Sequence, residues 1–168
     1  YAHLFRPLVA FLEVPTLVVT DLDAAGADGK VAPVAEGVTT TNATLRKWLP
    51  KKDTITDLLA ATDSDKTEGR VRVVYEVPEG PGLPCGRSFE EAFIYCNAAW
   101  LLKNRKELMA TGCRFGQSSA VDLAAAAFAL SRGSVGKVDF ALDLLLVDGW
   151  SVPLYIADGL RWLAQQNA

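Results

Sequence analysis

Thr16 to Thr20, TLVVT, is an unbroken β-branched and apolar run set between Pro15 and Asp21, and it constrains the fold more than any other segment. A strand with one wet face alternates apolar and polar residues. A continuous apolar run bounded by turn residues is the pattern of a parallel strand buried on both faces. Ahead of it, Leu4, Phe5, Leu8, Val9 and Leu12 recur at helical spacing, which predicts an amphipathic helix over Ala2 to Glu13, stopped by Pro15. A helix feeding a buried strand points to an α/β fold.

The alternation continues downstream. Asp23 to Val38 holds glycines and a proline without periodicity, so a long loop is expected at the carboxyl end of the strand, where open α/β sheets place their ligands. Thr41 or Asn42 stands where it can cap a helix through Trp48 that ends at Pro50. A short helix is expected over Ile55 to Ala61 and a strand over Val71 to Val77, VRVVYEV. After the turn-rich GPGLPCG segment at Gly80 to Gly86, the pattern predicts a long helix from Ser88 to about Ala110, with Phe89, Phe93, Cys96 and Trp100 as its buried stripe. Helices over Ser119 to Leu130, Val138 to Leu146 and Pro153 to about Gln165 follow. There is no internal repeat and no obvious linker, and 168 residues suit one domain with a real core.

Composition narrows the chemistry. The net charge is −3, so contact with a polyanion has to come from a local patch or from metal ions. Arg46, Lys47, Lys51 and Lys52 form such a patch, although a solvated helix end explains them more simply. His3 is the single histidine, which removes histidine zinc sites, Ser-His-Asp triads and Cys-His dyads; catalysis would run on carboxylates, lysine or metal. Cys85, Cys96 and Cys113 are widely spaced and contain no C-x-x-C, so neither a disulfide framework nor a zinc knuckle is indicated, and a cytoplasmic location is expected. No signal peptide or lipidation motif is present. The Leu142 to Val147 run is far shorter than the about 18 apolar residues a membrane span needs, so no membrane partner is expected.

Three constellations carry chemistry. In Thr20-Asp21-Leu22-Asp23 an extended chain sends both aspartates to one side and Leu22 to the core, so two carboxylates converge. Their repulsion would raise one pKa unless a Mg²⁺ or Mn²⁺ lay between them; solvated loop acids or a helix cap are the alternative. In Arg87-Ser88-Phe89-Glu90-Glu91, Ser88 and Glu91 have the spacing of a capping box, while Glu90 suits the helix dipole. Gly133-Ser134-Val135-Gly136-Lys137 departs from a Walker A loop, because Ser131 stands where the first glycine belongs and Val138 where a Ser or Thr belongs. Lys137 begins a helix, where the dipole disfavours a cation. Either it is an exposed surface lysine or it answers a negative partner such as a phosphate or a carboxylate.

Taken in order, Tyr1-Ala-His-Leu-Phe-Arg-Pro-Leu8, Pro15-Thr-Leu-Val-Val-Thr-Asp-Leu-Asp23, Thr41-Asn-Ala-Thr-Leu45 through Trp48-Leu-Pro50, Ser88-Phe-Glu-Glu-Ala-Phe93 and Lys137-Val-Asp-Phe-Ala141 resemble the Toprim nuclease domain of OLD-family (overcoming lysogenization defect) ATP-dependent endonucleases. The resemblance spans nearly the whole chain. It implies a Toprim-like, Rossmann-like α/β domain with a helical C-terminal portion that cuts or nicks DNA with one or two divalent ions. In that picture Asp21 and Asp23 look like the D-x-D metal ligands, Glu90 or Glu91 like the later acid near a second metal (Glu91 as a ligand), and Lys137 like the lysine that stabilises the transition-state phosphate. Asn42 and Ser88 become outer-shell candidates. Mg²⁺ or Mn²⁺ is the implied cofactor, with ATP acting only through an ATPase domain outside this chain. The implied partners are DNA and that ATPase domain, with a second copy of the chain as a further candidate.

A Toprim fold also opens with a strand ending in a glutamate and then a helix, both of which the resemblance places before Tyr1; Glu13 ends a helix just ahead of the D-x-D strand and does not replace that glutamate. The resemblance therefore implies an N-terminally truncated domain, a C-terminal portion of a longer ATPase-nuclease, weak or inactive alone. Two other classes fit parts of the pattern. One is a haloacid dehalogenase-like phosphatase, which also follows a buried strand with D-x-D but continues to Thr or Val where this chain has Ala25. The other is a non-catalytic Toprim-like docking or dimerisation module.

Overall fold

The computed structural model describes residues 1–108, 116–133 and 137–166. They are mixed α/β and fall into two compact units, Tyr1–Val77 with Leu154–Ala168, and Pro78–Pro153.

The first unit runs through a 3-10 turn (Ala2–Phe5), α1 (Arg6–Leu12), β1 (Thr16–Val19), β2 (Ala24–Ala25), a 3-10 turn (Val34–Glu36), β3 (Thr39–Thr40), α2 (Ala43–Lys47), α3 (Ile55–Leu59), β4 (Thr67–Glu68) and β5 (Val71–Val74). The last helix, α8 (Leu154–Gln165), returns to it. β1 and β5 are parallel, with Thr16 opposite Val71 and Val19 opposite Val74, and β4 adds antiparallel to β5. The order β1-β5-β4 makes β5 central, and Val73 and Val74 are buried. β1 is an edge strand of this sheet, which corrects the expectation of burial on both faces: Thr16 to Val18 are half-buried and Val19 is exposed. A second sheet pairs β2 with β3, Ala24 opposite Thr40. It gives structure to a segment expected to be all loop.

α8 packs on β1 and β5. Gly159 allows that approach, since a Cβ there would stand 2.9 Å from Leu17 Cδ1 and 3.1 Å from Val74 Cγ2. The helical period near the N-terminus is real, but apart from the half-buried Val9 its apolar stripe stays exposed among the described residues. Leu4, Phe5, Leu8 and Leu12 are all exposed.

The second unit is helical: α4 (Phe89–Lys103), α5 (Ala120–Ala125), α6 (Ala127–Gly133) and α7 (Lys137–Leu146). Phe93, Ile94, Leu101, Leu123, Ala127, Phe140 and Leu144 build its core, and the Phe93 and Phe140 rings meet edge to face at 5.2 Å. The helix expected to reach Ala110 ends at Lys103, capped by Asn104. It bends at Asn97, whose side chain leaves the helix pattern to clamp Ser151, donating to its carbonyl at 2.8 Å and accepting from its amide at 2.7 Å. The helix expected over Ser119 to Leu130 is two helices. Ser119 caps the first by accepting from Asp122 N, and the first ends at Ala125, with Ala126 as its C-cap.

Candidate carboxylate site

Backbone hydrogen bonding explains how the D-x-D segment is held. The ladder between β1 and β5 runs from Thr16 N to Arg70 O at 2.8 Å and reaches Thr20 N to Val74 O at 3.0 Å. Continued by two residues, the Leu22 amide would meet the Glu76 carbonyl. Instead it donates to the Glu76 side chain, Oε2, at 2.6 Å. On its other side the segment is tied to the stretch from β3 to α2. Asn42 Nδ2 donates to the Asp21 carbonyl at 2.6 Å and to Thr20 Oγ1 at 2.8 Å, the Thr40 hydroxyl donates to the Leu22 carbonyl at 2.6 Å, and the Thr41 amide donates to the Asp23 carbonyl at 3.0 Å. Three successive carbonyls are thus satisfied by three successive residues.

Leu22 is fully buried, as expected. Strand geometry does not persist through the motif, however. β1 stops at Val19 and Asp23 adopts a left-handed conformation, φ 51°. An irregular stretch ending in the left-handed Asp23, rather than the two-residue period of a strand, brings both aspartates to the wall of one cleft of about 380 Å³, lined also by Tyr1, Thr20, Thr41 and Asn42. Asn42 has the dual role its type allows: Nδ2 fixes the acidic segment while Oδ1 accepts from Thr44 N at 2.9 Å and caps α2.

Glu76 is a residue that no local pattern in the sequence singles out. It is wholly buried, and burial pushes its carboxyl well above the ordinary carboxylate range; the negative charge of Asp21 pushes it the same way, opposed by hydrogen bonds from backbone amides including Leu22. The Asp21 carboxyl lies against it, and a side-chain hydrogen bond shared by the two carboxyls also favours the protonated form of Glu76. A non-local signal for it is present in the sequence. TLVVTD and VRVVYE are two six-residue runs each closed by an acid, and the register that sets Thr16 against Val71 sets Asp21 abreast of Glu76.

The other candidates belong to the second unit. Glu90, Glu91 and Ser88 are buried at the start of α4. The capping box does not form. Ser88 Oγ makes no cap bond and donates instead to Glu90 Oε2 at 2.8 Å. Glu91 Oε2 accepts from the Arg87 amide at 3.3 Å and Oε1 from Ser131 Oγ at 3.3 Å. Burial raises the Glu91 pKa, and these two bonds oppose the rise. Gly86 permits the tight turn before the helix, since a Cβ there would lie 2.6 Å from Ala92 N. Lys137 opens α7 as an exposed lysine whose Nζ stands 3.7 Å from Glu90 Oε1. Ser134, Val135 and Gly136 of the glycine-containing motif lie outside the described residues.

Among the described residues no three His, Cys, Asp or Glu side chains form a ready metal cage. The donors in the first unit are nevertheless of one kind. Asp21 and Asp23 offer hard oxygens at the cleft wall, and the buried Glu76 backs Asp21. That set fits an ion such as Mg²⁺ or Mn²⁺, which takes one or two carboxylates and keeps much of its water. What the fold and site define is a mixed α/β protein with carboxylates gathered at the carboxyl ends of two adjacent parallel strands. No protein-family model, no curated protein and no solved structure matches the chain. No helix among the described residues is long and apolar enough to cross a membrane.

Proposed function

We propose that the Asp21–Asp23 cleft takes a divalent cation and serves metal-dependent hydrolysis of DNA phosphodiesters, the activity the Toprim resemblance implies. The observation that carries this reading is the placement of Asp21 beside the buried Glu76 at the ends of two parallel strands. An apolar sheet seldom keeps two touching carboxyls without a use for them, because each raises the cost of ionising the other. The resemblance looks for the partner glutamate on a strand upstream of the D-x-D strand; Asp21 has one downstream, in Glu76. Roles divide by exposure: Asp21 and Asp23 face the cleft and can contact an ion, whereas Glu76 sits beneath, its own ionisation opposed by burial and by the charge of Asp21. Asn42 positions Asp21 by holding its carbonyl. When bound, Mg²⁺ or Mn²⁺ would neutralise charge on the phosphate and lower the pKa of an attacking water.

Metal titration followed by thermal unfolding tests this reading. Mg²⁺ or Mn²⁺ at ten times its dissociation constant should add about 1.4 kcal/mol of stability. Asp21→Asn and Asp23→Asn should each remove most of the gain, and Mn²⁺-dependent plasmid nicking, where present, should disappear with Asp21→Asn. A metal response unchanged in both variants rules the cleft out as the ion site. The alternative reading is a non-catalytic docking or dimerisation module. It expects no metal-dependent stabilisation even in the unaltered chain.

A further inference from the structure

Arg46, Lys47, Lys51 and Lys52 surround one surface cleft of about 330 Å³, with Asp53 the single acid in its lining. On a chain of net charge −3 this is a local reversal of sign. Lys52 is half-buried and engaged by Asp65 at 3.5 Å. Arg46, Lys47 and Lys51 are exposed, and none is ion-paired with a described residue. A solvated helix end accounts for Arg46 and Lys47, which lie in the last turn of α2 and complement its dipole. It does not account for Lys51. That residue lies beyond the helix and holds a left-handed backbone, φ 62°, which a lysine adopts at a cost of about 1 kcal/mol and which glycine or asparagine would take more easily.

The cleft also has a fixed relation to the acidic one. Asn42 caps the start of α2 and lines the Asp21–Asp23 cleft, while Arg46 and Lys47 close the same helix and line the basic cleft. The five-residue helix sets its two ends only roughly 8 Å apart along the axis, so the two clefts open near opposite ends of one short helix. A short, capped helix thus works as a spacer between a site that repels phosphate unless a cation is present and one that attracts it. We infer that the Arg46–Lys47–Lys51–Lys52 cleft docks the phosphate backbone of DNA and sets which neighbouring phosphate lies over the Asp21–Asp23 cleft. Docking there draws on charge alone and carries no base sequence information. The inference rests on the phosphodiester reading for its purpose but not for its test, because docking requires no divalent ion.

The experiment is fluorescence anisotropy of a short labelled duplex with the full chain in EDTA, across a range of salt. The triple variant Arg46→Gln, Lys47→Gln, Lys51→Gln touches only exposed side chains. It should weaken binding at least about tenfold at low salt and flatten the log Kd against log salt slope by up to about 2.7, or about 0.9 for each phosphate that is no longer neutralised. A control with the same charge change, Lys30→Gln, Lys103→Gln, Lys106→Gln, should bind within about twofold of the unaltered chain. The inference is overturned if the unaltered chain does not bind the duplex, if the control loses as much as the triple variant, or if soluble polyphosphate binds while the duplex does not. Asp21→Asn should leave binding in EDTA intact or strengthen it. Failure of the metal response and failure of docking are therefore read in separate measurements.

Discussion

The Leu22 amide donates to Glu76 Oε2 at the position in the β1–β5 ladder where a backbone carbonyl would stand, so a carboxylate side chain completes the sheet beneath the acidic cleft. This couples the shape of the Thr20 to Asp23 segment to the protonation of one buried acid, and pH should report on it. The folded state holds the Glu76 proton more tightly than the unfolded chain does, as it does for Glu91. As pH rises from the ordinary glutamate value near 4.5 toward neutrality, the unfolded chain gives up these protons first, and stability falls. Glu76→Gln keeps an oxygen for the Leu22 amide and removes the titration. In EDTA it should melt higher than the unaltered protein at pH 8, the two curves converging as pH approaches 4.5. Parallel curves over that range would mean that Glu76 does not titrate late.

Asn42→Ala should destabilise the protein by about 2 kcal/mol. Roughly 1 comes from the lost cap on Thr44 N and roughly 1 from the bonds to the Asp21 carbonyl and Thr20 Oγ1. Asn42→Ser retains an acceptor for the cap but cannot reach the acidic segment, so urea denaturation should place it about midway. Equal losses in the two variants would assign the whole effect to the cap.

Most elements of the first unit are legible in the sequence, because periodicity and turn residues are local signals. Asn42 and the strand at Val71 are found this way. The meaning of Glu76 is not legible in the same manner. Nothing local marks it, and its role exists only once β5 lies parallel beside β1 and brings it abreast of Asp21. The S-x-x-E spacing at Ser88 misleads for the opposite reason. Local geometry permits the box, but the helix start is buried, and Ser88 turns to Glu90 while Glu91 turns to Arg87 N and Ser131. The apolar stripe near the N-terminus shows the limit of pattern itself, for periodicity predicts which face is apolar and not what covers it.

Two glycines separate tolerance from intolerance to a methyl group. At Gly159 the neighbours are ends of the Leu17 and Val74 side chains. Overpacking of about 1–3 kcal/mol is then offset by about 1 kcal/mol of helix propensity, so Gly159→Ala should lose about 1 kcal/mol. At Gly86 the obstruction is the Ala92 backbone nitrogen at 2.6 Å, which cannot give way without moving the start of α4. Gly86→Ala should cost at least about 3 kcal/mol. Chemical denaturation of both variants checks the order, and a smaller loss at Gly86 would contradict the tight turn before α4.

Glu90 is held by two unequal partners, and the difference predicts which one the fold needs. Its Oε2 accepts from Ser88 Oγ at 2.8 Å inside the protein, where Ser88 is 3% exposed. Its Oε1 faces Lys137 Nζ at 3.7 Å, and the lysine side chain is 65% exposed. Water can stand in for the ammonium but not for the buried hydroxyl. Lys137→Gln should therefore change stability by under about 1 kcal/mol, with the difference shrinking in high salt. Ser88→Ala leaves a buried carboxylate oxygen short of its donor and should cost about 1–3 kcal/mol. Should Lys137→Gln prove the more damaging, the ammonium would be holding Glu90 in place, and the lysine would have to be counted as part of the core of the helical unit rather than as a cation at its surface.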